Sequence, residues 1–316
     1  PSGQMIAWGA TSTGTYGYWH RLVRLPDGSW LRVFTVFPSD TRFELVIQRS
    51  TDNARTWTPY ARVSDGERRM DNGFLHFAPN GDLLLGGRSN VFGQSYKIVQ
   101  YRSKDFGKTW AREADLDSAG VGIKGLWEPY YQNLADGRMI NIWADETYPN
   151  LSQVLVQRVS ADSGRTWGPE TVVVQDGAAG RPGMPAITRM TNGQYFLAYE
   201  ACGPRNCQIY YKRSANGWQW PTGPGTPIPG QYCGPFVMSL PDGRLVLSSC
   251  RETTDMTKLV KPVSWSEDFG TTWRTNSPAI IDGAVDGYWV AMYQTGSNEI
   301  AYVSGDRIRF GNFVPR

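Results

Sequence analysis

The sequence reads SADSGRTW at 160–167 and repeats that phrase with small changes, as SKDFGKTW at 103–110, SEDFGTTW at 266–273 and STDNARTW at 50–57. Its aspartates, Asp52, Asp105, Asp162 and Asp268, stand 53, 57 and 106 residues apart. The last interval is twice the first, which predicts a further copy midway. SANGWQW at 214–220 fills that place, with Asn216 where the others have aspartate. Similarity at a fixed period means that one structural unit is copied along the chain.

A second marker runs in phase. Polar-Gly pairs occur at Asp27-Gly28, Asn80-Gly81, Asp136-Gly137, Asn192-Gly193 and Asp242-Gly243, with an irregular sixth, GSNE, at 296–299. Each lies between apolar runs, as in RLVRLPDGSWLRVF and FVMSLPDGRLVLS. Such pairs mark hairpins, because the turn demands positive φ. Two strands flank each pair, a third leads into the repeated phrase (FELVIQRS, QVLVQRVS) and a fourth follows it (TWTPYARVS, TWGPETVVV). Six units of four strands predict an all-β chain, a six-bladed β-propeller of four-stranded antiparallel blades forming one domain over 1–316. The 35 Gly, 20 Pro and 13 % aromatic residues suit many short strands and tight turns. The sixth unit stops after three strands, YWVAMYQ, EIAYVS and RIRFGNF. The unassigned run QMIAWGA at 4–10 is expected to supply its outer strand, closing the ring and hiding its edges.

The repeated phrase is the Asp-box, spanning the turn between strands three and four of a blade. Its Asp and Ser are expected to bond backbone N–H groups, its Gly to take a conformation other residues resist, and its Trp to pack beneath. The resemblance to Asp-box propellers covers nearly the whole chain and implies fold rather than chemistry.

The net charge of +3, with no Lys/Arg run, argues against nucleic acid as a partner. No apolar stretch approaches the ~18 residues of a membrane span. The start, PSGQMIAWG, lacks a charged segment followed by an apolar one, so a secretory leader, if the chain had one, is expected to have been removed. Four cysteines, at 202, 207, 233 and 250, cluster in one region, while the two histidines stand far off at 20 and 76. That favours disulfides and a secreted protein over a metal site, with three connectivities open.

Propellers bind ligands at one mouth of their central channel, which the inner strands line. Counting eight residues back from each turn gives His20, Asn72, Glu128, Met184, Gly234 and Tyr288, with Trp19, Asp71, Trp127 and Arg181 beside them. These positions vary in type on a uniform scaffold, the mark of a built site. Glu128, in LWEPYY, has aromatic neighbours that suit a proton donor. Glu200 closes the apolar run YFLAYE, and Glu146 and Glu252 end related strands as rivals. Two carboxylates on one cavity point to glycoside hydrolysis, and abundant Trp and Tyr offer stacking faces for sugar rings. Tyr288, or Tyr293 if the register slips, is placed to bond the second carboxylate. Arg181, His20 and Asp71 are candidates to bond sugar hydroxyls, with a structural role as the alternative for each.

At two of these stretches, LWEPYYQNLADGRMINIWADE and GRPGMPAITRMTNGQYFLAYE, the chain resembles the exo-arabinanases of glycoside hydrolase family 93. The resemblance implies a six-bladed propeller that releases arabinobiose from the non-reducing end of α-1,5-linked L-arabinan, with retention, without metal or cofactor. It assigns the acid/base to Glu128, the nucleophile to Glu200 and the assisting tyrosine to Tyr288. Trp19, His20, Asp71, Asn72, Trp127, Arg181 and Tyr293 are the substrate-binding candidates. The expected protein is a monomer whose partner is a polysaccharide, not a nucleic acid or membrane. Sialidases share the Asp-box propeller, but the early RIP stretch they have in common is replaced here by YWHRLVRLPDG, and Arg21, Arg213 and Arg251 would have to converge as an arginine triad. A lectin-like propeller would repeat one pocket between blades, whereas the six aligned positions differ.

Overall fold

The computed structural model describes residues 6–13, 17–122, 124–251, 254, 261–276, 289–305 and 307–314. Among them, strands are the only regular elements and form six four-stranded sheets. The first blade holds Tyr18–Arg24, Trp30–Val36, Glu44–Ser50 and Thr58–Val63 (β2–β5), after an opening strand, Ile6–Thr13 (β1). The second holds Arg69–Phe77, Leu83–Val91, Ser95–Ser103 and Ala111–Ala119 (β6–β9). The third holds Leu126–Asn133, Met139–Asp145, Val154–Ser160 and Thr171–Val174 (β10–β13). Arg181–Arg189, Tyr195–Cys202, Gln208–Ser214 and Thr226–Tyr232 (β14–β17) make the fourth, and Phe236–Ser239, Leu245–Ser248, Val263–Ser266 and Arg274–Asn276 (β18–β21) the fifth. Ala291–Gln294, Glu299–Ser304 and Arg307–Phe313 (β22–β24) belong to the sixth. In the first five blades, and among β22–β24, sequence neighbours pair as sheet neighbours, the order of a six-bladed β-propeller.

β1 completes the sixth blade. It pairs antiparallel along β24, from Ile6 opposite Phe313 to Thr13 opposite Arg307, so the open edge of a three-stranded sheet is covered as the sequence led us to expect. By its contacts the chain divides into two compact units, residues 17–183 with blades one to three, and residues 1–16 with 184–316, which hold the remaining blades. The division falls inside β14. Each unit is described by itself.

The hairpins repeat one device. In the first, Gly28 N–H donates to Leu25 O and Leu25 N–H to Ser29 O. Gly28 has φ +85° while Asp27 is in ordinary space, so the loop is a three-residue turn ending in a left-handed glycine, not the two-residue turn with both central residues at positive φ. The polar residue has a separate duty. Its Oδ1 accepts the N–H of the residue after the glycine: Ser29 to Asp27, Asp82 to Asn80, Arg138 to Asp136, Gln194 to Asn192 and Arg244 to Asp242, at 2.9–3.1 Å. Asp and Asn both carry a strong side-chain acceptor at that reach, which explains their alternation.

The Asp-boxes are as regular. Ser103 Oγ accepts Gly107 N–H at 2.7 Å, and Asp105 accepts both the N–H and the hydroxyl of Thr109. Ser160, Asp162 and Thr166 repeat the pattern, and Asn216 holds a shortened version with Ser214. The Thr109 hydroxyl, then its N–H, hold the Asp105 carboxyl down to about 2, and Thr166 does the same for Asp162. The box glycine also seats one blade on the one before. A Cβ on Gly107 would stand 2.7 Å from Leu31, and one on Gly270 2.3 Å from Phe196, so no larger residue fits.

Beneath these turns lies an apolar core. In the 17–183 unit Leu31, Val33, Leu45, Ile47, Leu83, Leu85 and Val99 cluster between the first two blades, and Ile98, Leu126, Trp143, Val154 and Val156 between the next two. Second strands are the most enclosed, and all seven residues of β11 are buried.

Candidate active site

Each blade has two ends. The hairpin and the Asp-box turn occupy one, and the inner strand begins at the other. At that second end the inner strands share a defect. β2 pairs Tyr18 with Thr35 and then Arg21 with Val33; β6 pairs Asp71 with Arg88 and then Phe74 with Gly86; β10 pairs Trp127 with Ala144 and then Tyr130 with Ile142. Two residues therefore face one on the partner strand, a β-bulge. The first bulged residue is left-handed in all three: Trp19 at φ 54°, Asn72 at 51° and Glu128 at 33°. Met184 (49°) in β14 and Gly234 (45°) just before β18 repeat it in the other unit. Holding a non-glycine residue there costs about 1–2 kcal/mol. Such strain, recurring at one end of successive blades, marks where side chains are re-aimed for function.

In the 17–183 unit the bulges gather a polar cluster. Asp71 is fully buried and grips Arg88 with two bonds, Nε to Oδ1 at 2.8 Å and Nη2 to Oδ2 at 2.7 Å. Asn72 Nδ2 donates to the same Oδ1 at 3.0 Å. The Arg88 guanidinium lies 4.2 Å from the centre of the Trp127 ring. Burial works against its charge, but the carboxylates of Asp71 and, further off, Glu128 outweigh that and raise its pKa above the ordinary arginine value. Asp71, Asn72, Trp127 and Glu128 thus form one group, with Arg88 at its centre. Arg88 is the residue the sequence reading missed. It stands seven residues after its turn glycine, as Glu200 does after Gly193, so the two occupy equivalent positions of β7 and β15.

Other candidates fall differently. His20 is 2 % exposed, stacks on Phe34 at 4.7 Å and has its Nε2 3.2 Å from Gly17 O. Burial, then the charge of Arg32, drives its pKa well below the usual value. Trp19, eight residues before Asp27, holds the left-handed place; His20 is eight before Gly28, one residue along. Arg181 pairs with Glu146 and also donates to Ser152 Oγ and Gln153 Oε1, and Glu146 Oε2 accepts Gly125 N–H. Glu146 is held as a structural anion and stands nine residues after its turn glycine, two beyond the position of Glu200. Glu252 and Tyr288 lie outside the described residues.

In the other unit, Glu200 ends the apolar part of β15 and accepts the Gly234 N–H on Oε2 at 3.0 Å. Its carboxylate is thereby tied to the left-handed position of the next blade. Disulfides Cys202–Cys207 and Cys233–Cys250 flank this contact, and Cys233 N–H donates to Cys207 O at 2.8 Å. One connectivity of the three is thus realised. Trp289 Nε1 donates to Pro235 O, and Tyr293 packs on Phe236 at 5.5 Å. Arg213, at the far end of β16, bonds Thr271 of an Asp-box, while Arg251 is buried and bonds Thr254 O. Arg213 is therefore at the end of its blade away from Glu200.

Among the described residues, two groups have donor types a cation takes. Glu200 lies with Cys202 and Cys207, but both sulfurs are committed to the disulfide. Asp117, Asp145 and Glu170 bring carboxylate oxygens within 4.8 Å of one another; burial and then Asp145 raise the Asp117 carboxyl, and the Tyr148 hydroxyl bonds Glu170.

No family model matches the chain, and no curated protein matches it. Among solved structures, the chain is similar over 98 % of its length to an α-L-arabinanase of Penicillium chrysogenum complexed with arabinobiose, covering 97 % of that chain at 22 % identity and TM-score 0.79. It is similar over 99 % to the GH93 α-L-arabinofuranosidase of Fusarium graminearum with arabinobiose, covering 98 % of that chain at 19 % identity and TM-score 0.78. A sialidase of Streptococcus pneumoniae matches over 99 % of this chain and 71 % of its own, at 11 % identity and TM-score 0.72. At these identities the likeness is one of fold, and it extends over nearly the full length of the chain.

Proposed function

We propose that this protein is a secreted glycoside hydrolase that cleaves α-1,5-linked L-arabinan from the non-reducing end, releasing arabinobiose with retention of configuration. The observation that carries the reading is the pair of carboxylates at the bulge ends of their blades. Glu128 is itself a bulge residue, and Glu200 is fastened to the bulge position of the blade that follows. Two neighbours of the same fold hold arabinobiose.

Glu128 is the acid/base. It gives its proton to the glycosidic oxygen as the C1–O bond breaks, and a Glu200 oxygen forms a bond to C1. Glu128, now a carboxylate, then takes a proton from water. The water oxygen attacks C1, the Glu200–C1 bond breaks, and the hemiacetal leaves with its first configuration. Retention requires carboxyls about 5–5.5 Å apart, against about 6.5–9.5 Å for inversion. The Gly234 N–H fixes the direction of the Glu200 carboxylate, Trp19 and Trp127 offer faces for sugar rings, Asn72 and Arg181 offer donors, and Tyr288 or Tyr293 assists the nucleophile.

Product analysis on debranched arabinan, beside a sialoside, tests this. Disaccharide release from arabinan alone, with the α anomer of the substrate preserved in the first-formed product by NMR, is the expected result. Glu128→Gln and Glu200→Gln should each lower turnover by about 10²–10⁴. Turnover of the sialoside, or full activity in either variant, sinks the proposal, and binding without any turnover makes the protein a lectin.

A further inference from the structure

Beyond the bulge cluster, the same end of blades one and two carries a strip of aromatic side chains. It starts at the bulge residue Trp19, whose ring centre is 5.7 Å from Tyr18 and 6.2 Å from Phe37. Tyr18 packs on Phe37 at 4.8 Å, and Phe37 on Phe43 at 4.4 Å. Arg69 then spans to the second blade: its guanidinium is 5.1 Å from the Phe43 ring and 5.8 Å from the Phe92 ring.

This strip is built and exposed together. Phe43 N–H donates to Arg68 O and Met70 N–H to Phe43 O, a parallel bridge that fixes one blade on the next beneath the rings. Arg69 Nε is held by Asp40 O at 2.7 Å. Yet Phe37 is 41 % and Phe92 65 % exposed, two of the few large apolar side chains in water among the described residues. Exposed aromatic rings held in place, and continuous with a bulge position, mark a binding surface rather than leftover core. Trp19, Tyr18 and Phe37 touch one another in a triangle, and from Phe37 the strip runs on through Phe43 and Arg69 to Phe92, a narrow track with a cation in it. That shape suits a thin polymer whose C–H faces lie on rings and whose hydroxyls accept from a guanidinium.

We propose that Trp19, Tyr18, Phe37, Phe43, Arg69 and Phe92 form a distal track for a neutral polysaccharide chain, holding sugars beyond those at the bulge cluster. The identity of the polymer as arabinan rests on the function proposed above; the track itself does not. It makes the protein grip the polymer more strongly than the short oligosaccharides that end at the cluster.

The test is native electrophoresis in gels cast with debranched arabinan, galactan or xylan, in a Glu128→Gln background so that no polymer is consumed. The background protein should be retarded by arabinan. Adding Phe37→Ala and Phe92→Ala should weaken apparent affinity at least about tenfold. Phe106→Ala, an exposed phenylalanine at the Asp-box end of blade two, should leave it unchanged. Melting curves establish that all variants are folded. Equal retardation with and without Phe37 and Phe92, or retardation by no polymer, overturns the track. Phenylalanine-dependent retardation by galactan or xylan alone supports the track and overturns arabinan as its polymer. Arabinobiose release by the unmutated protein, with no phenylalanine dependence in any gel, overturns the track and leaves the proposed activity standing.

Discussion

Replacing Asp71 by Asn should expose how much the bulge cluster depends on one buried ion pair. Asp71 has no exposed side-chain surface and Arg88 11 %. The carboxylate satisfies two guanidinium donors at 2.8 and 2.7 Å and accepts a third bond from Asn72. An amide of the same shape has one acceptor oxygen, and its NH₂ faces Arg88 donors. The guanidinium is then left charged, buried and half-bonded, which typically costs about 3–5 kcal/mol. The Trp127 face, at 4.2 Å, stabilises the cation in both proteins and so does not offset the loss. At roughly 2 °C per kcal/mol for a chain this long, the melting temperature should fall by about 6–10 °C. Calorimetry measures it. A second variant, Asp71→Asn with Arg88→Met, removes the stranded charge, and should recover to within about 1–2 kcal/mol of the original protein. The double variant should still lose turnover about tenfold or more, because Arg88 seats Trp127 beside Glu128. A single variant costing less than about 1 kcal/mol, or a double variant no more stable than Asp71→Asn, refutes the reasoning.

Further expectations concern the other unit and the turns. Cys233 and Cys250 enclose a separation of 17 residues, so Cys233→Ser/Cys250→Ser should lose about 3 kcal/mol in denaturant titrations. It should also lower turnover, since Cys233 precedes the Gly234 N–H that holds Glu200; unchanged turnover would detach the disulfide from the site. Asp105 has a carboxyl depressed to about 2 against an ordinary 3.8, so its contribution to stability is full above about pH 4 and disappears as pH falls through about 2. Asp105→Asn should therefore melt below the original protein at pH 5, with most of that gap gone at pH 2; a gap as wide at pH 2 as at pH 5 contradicts the assignment.

The fold was legible because it is written several times over. Polar-Gly pairs and Asp-boxes recur in phase, and each copy makes the same local bonds, so an error at one copy is corrected by the others. Even the irregular copy, with Asn216, keeps its serine and its turn. The closing strand was legible for a different reason: three strands need a fourth, and only one apolar run was left over. The turn type was not, since Asp-Gly serves both two- and three-residue loops, and the choice lies in how the flanking strands twist.

The candidate site was half legible, and the origin of the count explains part of which half. In β2, β6 and β10 the extra residue comes at the same distance before the turn, so one origin used in every blade finds it. Measured from the aspartate or asparagine of each turn, eight residues back is Trp19, Asn72, Glu128, Met184 and Gly234, all left-handed; measured from the glycine in blade one, it is His20, one residue along and packed into the core. Proline marks the left-handed place in three blades. Pro129, Pro185 and Pro235 each follow the left-handed residue, where the ladder asks for no N–H. Counting forward works better, because the second strands carry no such insertion between Asp145 and Met139 or between Ala201 and Tyr195. Seven residues past the turn glycine stand Thr35, Arg88, Ala144, Glu200 and Cys250. That series contains the proposed nucleophile and the arginine at the centre of the other cluster. The same position in successive blades thus carries an anion in one and a cation in another, and it is this register, rather than the presence of any carboxylate near a strand end, that separates Glu200 from Glu146.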